Sequence, residues 1–309
     1  MRPWKLLLLR LRTKGRFNMP CRDKFEKELV MRNLYKHVEY LTVTIGDRHL
    51  WKDFSLDKTA RYIESIFESY GYPVQRQTFS CYGKAVSNLI VEKTGTDKEV
   101  VIIGAHYDTV PGSPGADDNA SAVAGLLELA RLNQEASNRK TLVFSALVNE
   151  EPPCFGSPDM GSMVYAKHLK EQRVPVEVMV SLEMIGYFSE ERIQTYPLPG
   201  MGLVYPKTGN YIGVVGNLHS SKYVCFFKKG IRKHSSINAR SLTAPEFFGG
   251  IYLSDNYSFW HHGYTAVMVT DTSFFRNRHY HQATDTIDTL DFDRMAEVIR
   301  GLYYTLLEV

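Results

Sequence analysis

Four almost wholly apolar segments constrain the fold of this 309-residue chain more than any other feature. They are VVIIGA (100–105), TLVFSALV (141–148), EVMVSLEMI (177–185) and TAVMVT (265–270). Such runs are typical of strands that are buried on both faces of a sheet. Helix-like segments separate the first three runs, and strands that alternate with helices favour a parallel sheet. The pattern predicts an α/β fold with three α/β/α layers, in which helices cover both faces of a central, mostly parallel mixed sheet.

The rest of the chain supplies further predicted elements. We expect amphipathic helices within 19–42 and from Ser55, helices at 120–132 and 160–172, and a final helix that begins near Asp291. A strand, a turn and a second strand follow residue 73.

The organisation of the chain is predicted to be simple. Residues 19–309 form a single domain, in which the segment at about 187–250, rich in Gly, Pro, Tyr and Phe, is an elaborated insertion over one edge of the sheet. The basic segment FFKKGIRKH (226–234) is predicted to be a solvated loop or hairpin. Residues 1–18 are predicted to be a disordered leader or an overlong start before Met19, because the apolar run Leu6–Leu9 is too short for a secretory signal.

Composition excludes several function classes. The net charge of +3 is small and the basic residues are not strongly clustered, so we predict neither a nucleic-acid partner nor a membrane partner. No segment approaches the roughly 20 apolar residues of a membrane span. The four cysteines form no C-x-x-C pair, which argues against a disulfide framework. These features predict a cytoplasmic location.

Acids and histidines follow the predicted strands where each strand ends. In an open α/β sheet these carboxyl ends meet at one edge, which is where ligands bind. The residues that follow the four strands, or begin the helix after the first, are His106, Asp108, Asp118, Glu150, Glu151, Glu183, His279, His281 and Asp285. Imidazoles combined with carboxylates suit zinc better than calcium or magnesium, which prefer oxygen ligands alone.

Several motifs resemble one enzyme family in their order and spacing. They are AHYDTVPGSPGADDNASAVAGLLELA, NEEPP followed by MGS, SLEMIGY, SDNYSFW and YHQATDTIDTLD. From about residue 40 to its end, the chain resembles the zinc aminopeptidases of peptidase family M28. The resemblance implies a zinc-peptidase (phosphorylase/hydrolase-like) fold, and an exopeptidase that removes N-terminal residues from peptides or aminoacyl small molecules.

The resemblance also implies a role for individual residues. Two zinc ions are expected, with Asp118 bridging them and Glu150 acting as the general base. The remaining zinc ligands are expected to be His106, Glu151, Glu183 and His281. Asp108 is placed two residues after His106, where its carboxylate is expected to accept the second ring N–H. The adjacent Asp117 is interpreted as a residue that only holds the loop.

Departures from the family pattern leave alternatives open. Glu183 stands where many members have Asp, and Asn256 stands where His is common, so no role is carried over to Asn256. A single-zinc enzyme that resembles the glutaminyl-peptide cyclotransferases is one alternative. A non-catalytic binding module that keeps the peptidase fold is the other. The dimetal deacylases that share an H-x-D-x-V-P motif are disfavoured, because the loop GADDNASAV is not theirs.

Overall fold

The computed structural model describes residues 25–309, and the segment 1–18 predicted to be a leader lies outside the described residues. The sheet has eight strands, which are β1 (Gln75–Cys81), β2 (Lys84–Lys93), β3 (Val100–His106), β4 (Thr141–Leu147), β5 (Val176–Glu183), β6 (Tyr211–Gly216), β7 (Asn238–Thr243) and β8 (Ala266–Thr270). Their order across the sheet is β1-β2-β4-β3-β5-β8-β6-β7.

The four predicted apolar strands form the centre of this sheet. They are β4, β3, β5 and β8, and each is parallel to its neighbours within this group. The outer strands introduce antiparallel pairs, β1 with β2, β2 with β4, and β6 with β8. The prediction of a mostly parallel mixed sheet is therefore confirmed.

Seven helices cover the two faces of the sheet within residues 25–309. They are α1 (Lys27–Glu39), α2 (Ser55–Ser69), α3 (Ala122–Asn133), α4 (Gly161–Glu171), α5 (Ser221–His234), α6 (Asn256–His261) and α7 (Phe292–Leu306). Alternate side chains of β3 pack against the two different helix layers. Val101 and Ile103 pack into the apolar core with α1, α2, α3, α5 and α7, whereas Ile102 packs into the core with α4 and α6. Side chains alternate across a strand, so one strand supplies both cores.

Local sequence explains where several elements begin and end. The Tyr82–Gly83 pair joins β1 to β2, and both residues have positive φ, as a two-residue hairpin requires. Asp291 caps α7, since its carboxylate accepts the backbone N–H of Arg294. Gly71, with φ of 85°, follows the end of α2. The helices that the sequence predicts within residues 25–309 are confirmed.

One local prediction was wrong. The basic segment 226–234 is not a loop or hairpin but lies in α5. Phe227 and Ile231 are buried in the core, while the basic side chains lie mostly on the exposed side of the helix. Gly230 is the point where α5 approaches α7, because a Cβ there would lie 2.2 Å from Thr305 Oγ1.

The segment 187–250 contains both irregular chain and regular elements. Its first part includes a short 3₁₀ turn at Met201–Leu203, and its second part contributes β6, α5 and β7, which extend the sheet beyond β8. Its description as an insertion within a single domain stays a prediction. Within residues 25–309, no helix has the length and apolar character needed to span a membrane. The cysteines described, Cys81, Cys154 and Cys225, are free thiols.

Candidate metal centre

The predicted site residues meet at the carboxyl ends of the central strands. His106 is the last residue of β3, and Glu183 is the last residue of β5. Glu150 and Glu151 follow β4, and His281 lies in the loop that follows β8. Asp118 lies in the irregular turn Ala116–Ser121, directly before α3. Four parallel strands therefore bring residues from distant parts of the chain to one edge.

Five of these residues form two triads that share one carboxylate. In the first triad, His106 Nε2 lies 3.5 Å from Asp118 Oδ1 and 3.3 Å from Glu183 Oε2. In the second, His281 Nε2 lies 3.2 Å from Asp118 Oδ2 and 3.1 Å from Glu151 Oε2. Within each triad, one potential ligand atom from each residue lies within 4.8 Å of the others. Each oxygen of Asp118 thus faces a different triad.

Hydrogen bonding within the chain does not satisfy these atoms. His106 Nε2, Asp118 Oδ1, Glu151 Oε1 and His281 Nε2 are all buried and have no hydrogen-bond partner among the described residues. Buried polar groups are normally paired or coordinate a metal. The donor set of each triad, one imidazole and two carboxylates, is suited to hold zinc.

The electrostatics of the cluster lead to the same conclusion. Burial, with the nearby Asp118, raises the pKa of Glu151 to about 8. Burial also raises the pKa of Glu150 well above its usual range, and the Glu183 and Glu151 carboxyls add to this rise. Burial lowers the pKa of His281, but Asp118 and Glu151 outweigh it and raise the value to about 10. The chain itself supplies too little positive charge to ionise every carboxylate, and a divalent cation would supply it.

Asp108 supports the site in a way that differs from the prediction. His106 Nδ1 lies 3.2 Å from the main-chain carbonyl oxygen of Asp108 and 3.6 Å from its carboxylate Oδ1. The expected hydrogen bond to the carboxylate is therefore replaced by one to the carbonyl. The carboxylate instead accepts the backbone N–H groups of Glu150 and Glu151, at 3.1 and 3.0 Å. It fixes the backbone of the paired glutamates.

A second carboxylate, that of Asp285, fixes the backbone of the turn that carries Asp118. Asp285 accepts the backbone N–H groups of Asp117 and Asp118, at 3.0 and 3.1 Å. The Asp117 side chain belongs to neither triad, since it accepts from the Gly186 N–H and from Asn277 Nδ2. Its contacts are those of a residue that holds the loop.

The SDN motif contains residues whose roles sequence reasoning missed. Ser254 Oγ donates to Glu183 Oε2 at 2.7 Å and so orients that carboxylate. Asp255 is buried, its two carboxylate oxygens have no hydrogen-bond partner among the described residues, and burial raises its pKa to about 7. Asn256, the first residue of α6, donates from Nδ2 to the carbonyl oxygen of Ile251. The sequence SDN was the signal that pointed to Ser254 and Asp255. Of the other sequence candidates, His279 lies outside both triads and contacts Thr284 Oγ1 through Nδ1.

A largely apolar pocket of about 220 Å³ begins at the cluster. Glu150 lies at its metal end, with Oε2 3.8 Å from His106 Nε2 and outside both triads. The walls come mainly from the segment after β5 and from the loop after β8, and include Tyr196, Leu242, Leu253, Met268 and Tyr280. Residues of the segment 187–250 therefore line a pocket beside the cluster. Together, the cluster and the pocket are suited to place a metal ion beside a bound small molecule or peptide.

Comparison with known proteins identifies the family. The family model for Peptidase family M28 matches residues 88–306, so the chain belongs to peptidase family M28. The uncharacterized protein YfbL of Escherichia coli is 39% identical over 278 residues, which cover 87% of this chain and 85% of that protein. A probable leucine aminopeptidase of Trichophyton verrucosum is 29% identical over 224 residues, 68% of this chain and 54% of its own length. The chain thus spans about half the length of this fungal relative. The protein is a hydrolase of the metallopeptidase class.

Solved structures share the fold. BSAP, a zinc aminopeptidase from Bacillus subtilis, superposes with a TM-score of 0.73 at 17% identity, over 90% of this chain and 94% of that chain. A glutaminyl cyclase from Bacteroides thetaiotaomicron superposes with a TM-score of 0.69 at 16% identity, over 92% of this chain and 98% of that chain. At these identities the likeness shows the fold alone.

Proposed function

We propose that the protein is an aminopeptidase that binds two zinc ions and hydrolyses the N-terminal peptide bond of its substrates. The single observation that carries this proposal is the sharing of Asp118 between two triads, with one oxygen in each. Dimetal hydrolases hold their two ions about 3.5–4 Å apart, a distance that one bridging carboxylate can span. His106 and Glu183 would complete one zinc site, and Glu151 and His281 the other.

The residues beside the triads have separate tasks in this proposal. Bound zinc would polarise the scissile carbonyl and lower the pKa of the attacking water. Glu150 lies outside both triads and lines the pocket, so its carboxylate is free to take a proton from water and pass it to the leaving amine. Asp108 keeps Glu150 and Glu151 in place through their backbone N–H groups.

An exopeptidase fits the shape of the site. The pocket of about 220 Å³ is suited to hold one substrate side chain next to the cluster, with the scissile bond at the metal end. The shared fold supports the cyclase alternative, but no feature of the cluster favours it. The cytoplasmic location stays a prediction.

The test combines metal analysis with a substrate panel. The purified protein is analysed for zinc and assayed with aminoacyl p-nitroanilides, N-acetylated counterparts and peptides with N-terminal glutamine. We expect two zinc ions per chain, release of nitroaniline only from substrates with a free amine, and loss of activity on chelation that zinc restores. Cyclisation of glutaminyl peptides by a protein with one zinc would contradict the proposal in favour of the cyclase. Absence of any turnover by the zinc-loaded protein would favour a binding module.

A further inference from the structure

Arg240, in the middle of β7, is partly exposed, and its side chain has no ion-pair or hydrogen-bond partner within the described residues. Its Nε is buried and has no hydrogen-bond partner, and no described carboxylate forms an ion pair with it. Arg48, by contrast, is fully buried and donates to main-chain carbonyls such as those of Tyr107 and Pro114. Arg276 donates to Gln194 Oε1 from its own Nε. Because burying an unpaired polar group is costly, the unpaired Nε of Arg240 requires an explanation.

The register of the sheet places Arg240 on the same face as the metal cluster. Glu183 pairs with Thr270, Thr270 pairs with Gly213, and Gly213 pairs with Arg240. Paired residues on neighbouring strands point to the same face of a sheet. Three strand spacings separate Glu183 from Arg240, so their Cα atoms lie about 14 Å apart.

The space between these two ends is open and has an apolar wall. Gly213, which lies between the two ends, has no side chain to fill this space, and a Cβ there would make a tight contact of 3.2 Å with the Thr270 carbonyl oxygen. Two residues further along the strands, Leu242, Val215 and Met268 form the next row. All of these residues line the pocket that begins at the cluster. The pocket therefore has metal-binding acids at one end, an apolar wall between, and a guanidinium at the other end.

A carboxylate is the group that best satisfies an unpaired guanidinium. Arginine donates two parallel N–H groups to the two oxygens of a carboxylate, and such pairs are stronger than neutral hydrogen bonds. An apolar pocket that ends in one cation matches a substrate side chain with methylene groups and a terminal anion. The glutamate side chain is one methylene longer than that of aspartate, and this length suits the distance of three strand spacings between Glu183 and Arg240.

We infer that Arg240 is a specificity-determining residue that selects substrates whose N-terminal residue is glutamate. This inference rests on the proposed aminopeptidase function, because it places the N-terminal side chain in the pocket beside the cluster. It separates this protein from an aminopeptidase whose pocket takes only leucine-like side chains. Glutamine, which keeps the acceptor oxygen but not the charge, is expected to rank between glutamate and leucine in its dependence on Arg240.

The kinetic test compares substrates that differ only in the N-terminal residue. Zinc-loaded wild type, Arg240→Met and Arg240→Lys are assayed on the α-p-nitroanilides of glutamate, glutamine and leucine. Arg240→Met should lose about 10–100-fold in kcat/KM on glutamate, and stay within about threefold on leucine, because only glutamate loses a charged hydrogen bond. Arg240→Lys should recover part of the loss. Arg192→Met is the matched control, because Arg192 is exposed on the same segment and should leave every value unchanged.

A binding measurement decides the inference even without turnover. The α-hydroxamates of glutamate and leucine are titrated into the zinc-loaded wild type and Arg240→Met, and the ratio of the two affinities is compared. A ratio that moves at least tenfold toward leucine in Arg240→Met supports the inference, and a smaller change overturns it. Absence of turnover on all substrates contradicts the proposed function alone, since the hydroxamate ratio still reports the pocket.

The same chemistry has a second source, which is the C-terminal carboxylate of a dipeptide. Leucyl-alanine and its amide are therefore added to the panel. If Arg240→Met reduces cleavage of the dipeptide relative to its amide and leaves the glutamate to leucine ratio unchanged, Arg240 binds the C-terminus and the inference is wrong.

Discussion

The Asp108 carboxylate offers the most direct way to disturb the site without touching a proposed zinc ligand. It is buried, and its two oxygens accept the backbone N–H groups of Glu150 and Glu151. In Asp108→Asn, the single amide oxygen can accept only one of these N–H groups, and the new NH₂ faces the other. The substitution changes no volume, so its effect reports on hydrogen bonding and charge.

The size of the effect follows from the two hydrogen bonds that the Asp108 carboxylate accepts. One charge-assisted hydrogen bond is lost and one buried N–H is left unpaired, which costs about 1.5–3 kcal/mol of folding free energy. For a domain of this size the melting temperature should fall by roughly 2–5 °C. Movement of the Glu150 backbone by about 1 Å should reduce kcat by about 10²-fold.

The assay measures the melting temperature, zinc content and kcat of the zinc-loaded Asp108→Asn protein against wild type. Asp53→Asn is the matched control, because Asp53 is exposed and its one ion pair within residues 25–309 is with Lys84, at 3.5 Å. We expect the control to behave as wild type. If Asp108→Asn keeps both the melting temperature and kcat of wild type, the two hydrogen bonds do not hold the glutamates, and the account of Asp108 is wrong.

Three further predictions address the metal end, the packing and the pH dependence. Glu183→Gln should lower the zinc content measured after dialysis, because a neutral amide is a poorer ligand, whereas Glu183→Asp should keep more zinc and activity; equal zinc content in wild type and Glu183→Gln would contradict this. Gly161→Ala should lower the unfolding free energy in urea by about 3 kcal/mol, since its Cβ would lie 2.3 Å from the Val148 carbonyl oxygen, and an unchanged urea midpoint would refute the crowding. Burial, with Lys36 and Arg131 nearby, lowers the pKa of His37 to about 4, so stability present above pH 6.5 is lost as the pH falls to 4. His37→Gln should remove about 3 kcal/mol of that loss in unfolding titrations at pH 4 and 7, and an identical pH dependence in both proteins would disprove it.

The central sheet could be predicted because its signal is local. Strands β3, β4, β5 and β8 are covered on both faces, so nearly every residue in them is apolar and the run is visible in the sequence. The outer strand β6 and helix α5 depend on tertiary contacts. Gly230 in α5 is required by the approach of α7, a contact that the basic sequence of 226–234 does not reveal.

The residues of the candidate site could be predicted from the sequence, but the contacts among them could not. The ends of parallel strands must meet, so the acids and histidines that follow them could be grouped before any distance was known. Hydrogen bonds across the site could not be predicted. The Asp108 carboxylate binds backbone N–H groups of another segment, and Ser254 reaches Glu183 from 71 residues away. Arg240 gave no sequence signal, because its isolation depends on which side chains surround β7.

The central claim, a dimetal centre with a separate general base, is tested most directly by comparing Glu150→Gln with Glu151→Gln. Zinc stoichiometry and kcat are measured for both variants and for wild type under the same zinc concentrations. We predict that Glu150→Gln keeps two zinc ions and loses about 10²–10⁴-fold in kcat, because no other positioned group takes the proton. Glu151→Gln should lose zinc and recover partly at high zinc concentration. A Glu150→Gln protein that holds two zinc ions and retains the wild-type kcat would contradict the account.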